Sequence, residues 1–118
     1  MDTQLPAKLW IDALIRQAQI DGAAAFVLQK GDPERGDILV KIAHLDRTAR
    51  LLRPATDMDG SRIVLDLTAQ GIGPDEPDID DYVRRARERD RDLWVVEIED
   101  RDARTFVTEP IRDDYTSF

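Results

Sequence analysis

The 118-residue chain has no cysteine. Disulfides, zinc–thiolate sites, iron–sulfur clusters and thiol nucleophiles are therefore excluded by composition. It has one histidine, His44, so a multi-histidine metal site within the chain is excluded as well. Any Ser-His-Asp arrangement would have to run through that residue. Lysine is scarce too: arginine outnumbers it fourteen to three, an excess spread along the chain that fits the codon bias of a GC-rich genome better than any one motif. No stretch approaches the roughly 20 consecutive apolar residues of a membrane helix. The opening segment, MDTQLPAKLWIDALIRQAQIDG, is interrupted by Asp12 and Arg16 and has no small-residue cleavage site, so it does not read as a secretory signal. A cytoplasmic location, without a membrane partner, is the expectation.

What is present is acid. The formal charge is −8, and it is unevenly placed: residues 1–60 hold nine acidic and eight basic groups, net −1, while residues 61–118 hold sixteen and nine, net −7. A surplus of this sign argues against general nucleic-acid binding, which rests on excess Lys and Arg against phosphate. Hydrophobic residues make up 42% of the chain, enough for one core in a single domain of this length.

Trp10, Ile11, Leu14, Ile15 and Ala18 recur at helical spacing, with Pro6 placed to start and Gly22 to stop a first helix. Alternation then takes over in two runs, Ala24 to Gln29 and Ile38 to His44, separated by GDPERG, and this predicts a β-hairpin whose glycines adopt positive φ. Asp46-Arg47 marks another reversal, Thr48 to Arg53 a third strand ended by Pro54, and Ile63 to Leu67 a fourth. GIGPDEP breaks the pattern. A second helix is expected to begin near Asp78, which would cap it, with Asp80 and Asp81 pairing four residues on with Arg84 and Arg85. Leu93 to Glu99 reads as a strand, Asp100 to Ala103 as a turn, Arg104 to Thr108 as a returning strand, and residues 110–118 as a loose tail. The order α-β-β-β-β-α-β-β implies an α+β fold: an antiparallel or mixed sheet of five to six strands with both helices packed on one face.

LWIDALIRQAQIDG, KGDPERGDILVKI and DLWVVEIEDRD together resemble the short bacterial proteins grouped as domain of unknown function 1491, found in alphaproteobacteria. The resemblance spans most of the chain in the right order. It directs interest to Gly31, Asp32, Pro33 and Gly36 and to Trp94, Glu97, Glu99 and Asp100, and departs from the family pattern at Arg91, where proline is expected. The family has no assigned activity, so the resemblance implies no catalytic residue.

Four candidate surfaces remain. Glu97 and Glu99 share one strand face and are followed by Asp100 and Asp102 on the turn; if these converge, they offer oxygen ligands to a divalent cation such as Mg²⁺, Mn²⁺ or Ca²⁺. If they do not, they are a wet strand end pairing with arginines such as Arg50 or Arg104. The GDPERG loop lacks the lysine and pattern of a phosphate loop and carries acids of its own, so it is a turn and at most a recognition tip. DMDG at 57–60 resembles the opening of a calcium loop, but its glycine is early and no glutamate closes it. The run Arg84, Arg85, Arg87, Arg89 and Arg91 could touch an anion or RNA, yet neighbouring acids neutralise it. His44 has no partner placed beside it by sequence. The expectation is a non-enzymatic interaction or regulatory domain whose acidic hairpin end and GDPERG loop present a surface to a protein partner; the oligomeric state is open, with the strand after DRDA a candidate for pairing with a second copy. Metal-dependent hydrolysis or nucleotide processing at the carboxylates, with His44 as base, is the alternative.

Overall fold

A computed structural model describes residues 5–115. The elements are α1 (Ala7–Ile20), β1 (Ala24–Gln29), β2 (Ile38–Ala43), β3 (Ala49–Thr56), β4 (Arg62–Asp66), α2 (Glu76–Arg89), β5 (Trp94–Glu99) and β6 (Ile111–Arg112). The expected order of elements and the mixed α+β sheet are both observed.

The six strands lie in the order β1-β5-β2-β3-β4-β6. Pairing is parallel between β2 and β5 and between β4 and β6, and antiparallel elsewhere. The expected β1–β2 hairpin does not form, because β5 lies between the two strands. Burial follows this order. β2 is buried at every position and β5 at most, whereas β1 is largely exposed. β2 and β5 are flanked by strands on both sides and covered on both faces, while β1, apolar at five of its six positions, is left at the edge.

The helices lie on opposite faces, not on one. Trp10, Ile11, Leu14 and Ala18 of α1 pack on Val40, Ile42, Leu52, Val64, Val96 and Ile98. Ile79 and Val83 of α2 pack on the alternate residues Leu39, Leu51, Ile63, Leu65 and Val95. Because neighbouring strand residues point to opposite sides, the sheet feeds two separate cores, and this is why its central strands read as nearly continuous apolar runs.

Three boundaries differ from expectation. β3 continues through Pro54 to Thr56; its pairing with β2 ends at Leu52, so beyond that point it has β4 alone beside it, where a missing N–H is tolerated. Helix α2 begins two residues before Asp78, with Asp75 at the cap position and no side-chain cap bond. Residues 104–108 form no strand: Ala103 and Phe106 have positive φ (58° and 63°), which an extended chain cannot contain. Phe106 and Val107 pack against the α1 core instead. Of the expected tail, Ile111–Arg112 form β6, and residues 116–118 lie outside the described part. No helix among the described residues is long and apolar enough to cross a membrane.

Candidate functional site

The four carboxylates of the β5 end do not converge. Strand alternation sends Glu97 to the α2 face, where it meets Lys41, its register partner on β2. Lys41 is 5% exposed, and its Nζ lies 2.6 Å from Asp80 Oδ1, 2.7 Å from Glu76 Oε2 and 3.0 Å from Glu97 Oε1. Burial pushes the Lys41 pKa down, and this is the largest single influence. The hydrogen bonds from Asp80, Glu76 and Glu97 together outweigh it and hold the ammonium above its ordinary value.

Glu76, Asp80 and Glu97 are also the one group of three among the described residues whose carboxylate oxygens lie within 4.8 Å of one another, as a metal site needs. The ammonium already sits among those oxygens. Chemically the cluster is an ion-paired clamp that ties α2 to β2 and β5. Lys41 carries the sequence signal for it, as the single charge in the buried strand ILVKIA. Glu76 was hidden by its place in the pattern-breaking segment GIGPDEP, and Asp80 by its expected pairing with Arg84. Asp80, expected to pair with Arg84, turns inward, and Arg84 pairs instead with Asp81 (2.7 Å) and Glu88 (3.0 Å).

Asp100 is 6% exposed. Its carboxylate accepts hydrogen bonds from the Arg104 guanidinium (2.9 and 3.0 Å) and the Arg104 backbone N–H (2.8 Å), and these lower its pKa. Asp102 is exposed on the turn, and Glu99 is half-buried opposite Ala24 of β1.

The GDPERG loop is built into the fold. Trp94 Nε1 donates to the Asp32 carbonyl (2.7 Å), and the Asp32 N–H donates to the Asp92 carbonyl (3.0 Å). Pro33 and Glu34 offer their carbonyls to the first amides of α1, from Lys8 (3.0 Å) and Ala7 (3.3 Å), satisfying helix donors that no side chain caps. Asp32 Oδ1 accepts from the Arg35 and Glu34 amides, which lower its pKa. Gly31 and Gly36 do not have the expected positive φ. They are glycines for another reason: a Cβ at either would collide with the Asp92 carbonyl. Gly31, Asp32, Pro33, Gly36 and Trp94, which carry part of the family resemblance, thus lock three segments together: α1, the loop and the start of β5.

The remaining candidates are quieter. Arg84 and Arg85 are paired with acids of α2, Arg87 donates to Gln29 Oε1 (3.2 Å), and Arg89 and Arg91 are exposed. In the DMDG turn, Asp59 accepts from the Ser61 amide and hydroxyl, as a plain turn does. His44 Nδ1 lies 3.1 Å from Thr48 Oγ1, and its Nε2 is buried without a hydrogen-bond partner.

The family model described as "Protein of unknown function (DUF1491)" matches residues 5–108. The chain belongs to this family. A crystal structure of a DUF1491 family protein from Caulobacter crescentus CB15 is similar at 45% identity and a TM-score of 0.82, covering 92% of this chain and 100% of that one. An NMR structure of a DUF1491 family protein from that organism gives 45% identity and 0.79, with 94% and 99% covered. A solution structure of a protein from A. tumefaciens gives 28% identity and 0.72, with 93% and 98% covered. These organisms are alphaproteobacteria, as the resemblance implied. No curated protein matches. Membership in DUF1491 therefore brings a fold and a lineage, and no assigned activity.

Proposed function

We propose that this DUF1491 chain is a non-enzymatic cytoplasmic interaction domain that binds an extended segment of a partner protein along β1. The observation that carries the reading is β1 itself. It is an edge strand, AAFVLQ, with no charge in a chain that is 36% charged, and Phe26, Val27 and Leu28 are 46%, 39% and 41% exposed. Edge strands are ordinarily protected by charge, proline or cover, because their open N–H and C=O groups invite another strand. This one has a bulge between Val27 and Gln29 and no charge. Strand addition uses such an edge: main-chain hydrogen bonds supply affinity, and side chains at alternate positions supply selectivity.

The occupant is better a foreign segment than a second copy. Two six-residue strands with three exposed apolar side chains each fall short of the roughly 1,200 Å² that a stable interface between folded proteins buries, and each copy carries −8. Glu99, opposite Ala24, and exposed Asp102 lie toward one end of the edge, which favours a basic residue at that end of the guest.

Selection of a random peptide library against the protein tests this. The reading expects peptides with alternating apolar residues and a terminal Lys or Arg, whose binding is lost in a Phe26→Lys, Leu28→Lys double variant that keeps its melting temperature. Failure to select any peptide, or selected peptides that bind the variant equally well, would contradict it.

A further inference from the structure

Of the three half-buried arginines among the described residues, Arg50 pairs with Asp66 at 2.8 Å, while Arg53 and Arg62 form no ion pair with a described carboxylate. Arg53 Nε and Arg62 Nη1 are closed off from solvent and donate to nothing; the polar contact Arg53 does make is from Nη2 to the Tyr115 hydroxyl at 3.2 Å. Arginine is seldom taken out of water without a partner, because an unpaired guanidinium loses its hydration and gains nothing in return. Both side chains line the same cavity, about 300 Å³ in volume, between the N-terminal end of α1, the loop before β2 and the facing ends of β3 and β4. That volume is at the lower end of small-molecule sites.

We infer that this cavity is a binding site for a small molecule bearing one oxyanion group, phosphoryl or carboxylate, held by Arg53 and Arg62. Guanidinium groups hold such oxygens through paired, charge-assisted hydrogen bonds. Tyr115 adds a hydroxyl to the wall, and Arg35 a third cation from the loop. Glu34 and Asp37 line the loop side. They repel a polyphosphate and suit a ligand that presents an amino or hydroxyl donor beside its single anionic group. The site is independent of β1, which contributes no residue to it.

The test is an NMR titration of the whole chain that follows the backbone amides and the arginine Nε–Hε signals, with sodium phosphate and with sodium acetate, each against sodium chloride at equal ionic strength. Saturable shifts of the Arg53 and Arg62 side-chain signals are expected with at least one of the two oxyanions and not with chloride. Response to phosphate alone assigns a phosphoryl group, and response to both assigns oxyanions generally. Arg53→Gln or Arg62→Gln, with the native amide spectrum retained, is expected to weaken binding by about tenfold or more. The inference is overturned if neither oxyanion gives saturable shifts in the wild type, or if binding persists undiminished in the folded double variant.

Discussion

Lys41 and Glu97 are register partners on neighbouring parallel strands, and their side chains meet at 3.0 Å on the face that α2 covers. Glu76 and Asp80 close the cluster from the helix. Lys41→Met removes the cation and leaves three carboxylates facing one another. We expect a loss of roughly 2–3 kcal/mol, somewhat below the usual cost of orphaning one side of a buried ion pair, because the Glu97 and Asp80 side chains are 21% and 56% exposed. Chemical denaturation of both proteins measures it, and a change below about 0.5 kcal/mol would mean that the pairs contribute as surface ion pairs do.

The same cluster sets an expectation for divalent ions. In the wild type the ammonium already occupies the oxygens, so melting curves with millimolar Mg²⁺, Mn²⁺ or Ca²⁺ are expected to overlay the curve without metal. In Lys41→Met the carboxylates are freed, and Mn²⁺ or Ca²⁺ is expected to raise the melting temperature, as any ligand that binds only the folded state does. A clear metal-dependent rise in the wild type, absent in Glu97→Gln, would restore the metal-site reading.

Gly31 and Gly36 lie against the Asp92 carbonyl. Since the obstacle is backbone, an added methyl cannot be accommodated by a side-chain rotation. Gly31→Ala and Gly36→Ala are each expected to destabilise by about 2–3 kcal/mol, at the upper end of overpacking costs. A control at exposed Gly60 is unsuitable because of its positive φ of 86°, so Ala69→Ser, at an exposed position, serves instead. Melting temperatures equal to the wild type in both glycine variants would refute the close-approach argument.

Asp100 gives the pH dependence a sign. Its folded pKa lies below the ordinary carboxylate value because Arg104 donates to it. A depressed folded pKa means a contribution that is fully present above the unfolded value, about 4, and is lost as pH falls through the folded one. Arg104→Gln is therefore expected to lower stability at neutral pH and to flatten its fall as the pH drops below about 4. Denaturant midpoints across that range check it; parallel wild-type and variant curves would show that the pair contributes nothing through protonation.

Much of the architecture was legible in local pattern: both helices, the β2–β3 reversal and the five longer strands. What was not legible was set by partners far apart in sequence. The insertion of β5 between β1 and β2 pairs strands far apart in sequence, and local alternation sees only that Ala24–Gln29 and Ile38–Ala43 are neighbours in sequence. Lys41 was visible as an isolated charge in ILVKIA, but nothing local shows that Glu76 and Asp80 swing onto it from a helix. Likewise GDPERG announced a turn, while its task of holding the first amides of α1 depends on a helix more than twenty residues earlier.

The central claim is that binding occurs along β1, and the most direct measurement is the NMR spectrum of the labelled protein with a selected peptide bound. The account predicts amide shifts concentrated at residues 24–29 and on β5, with intermolecular backbone contacts of the strand-pairing kind between the peptide and β1. Shifts centred on Glu97 to Asp102 of the turn, on the Arg84–Arg91 segment or on residues 31–36, with β1 unchanged, would contradict it.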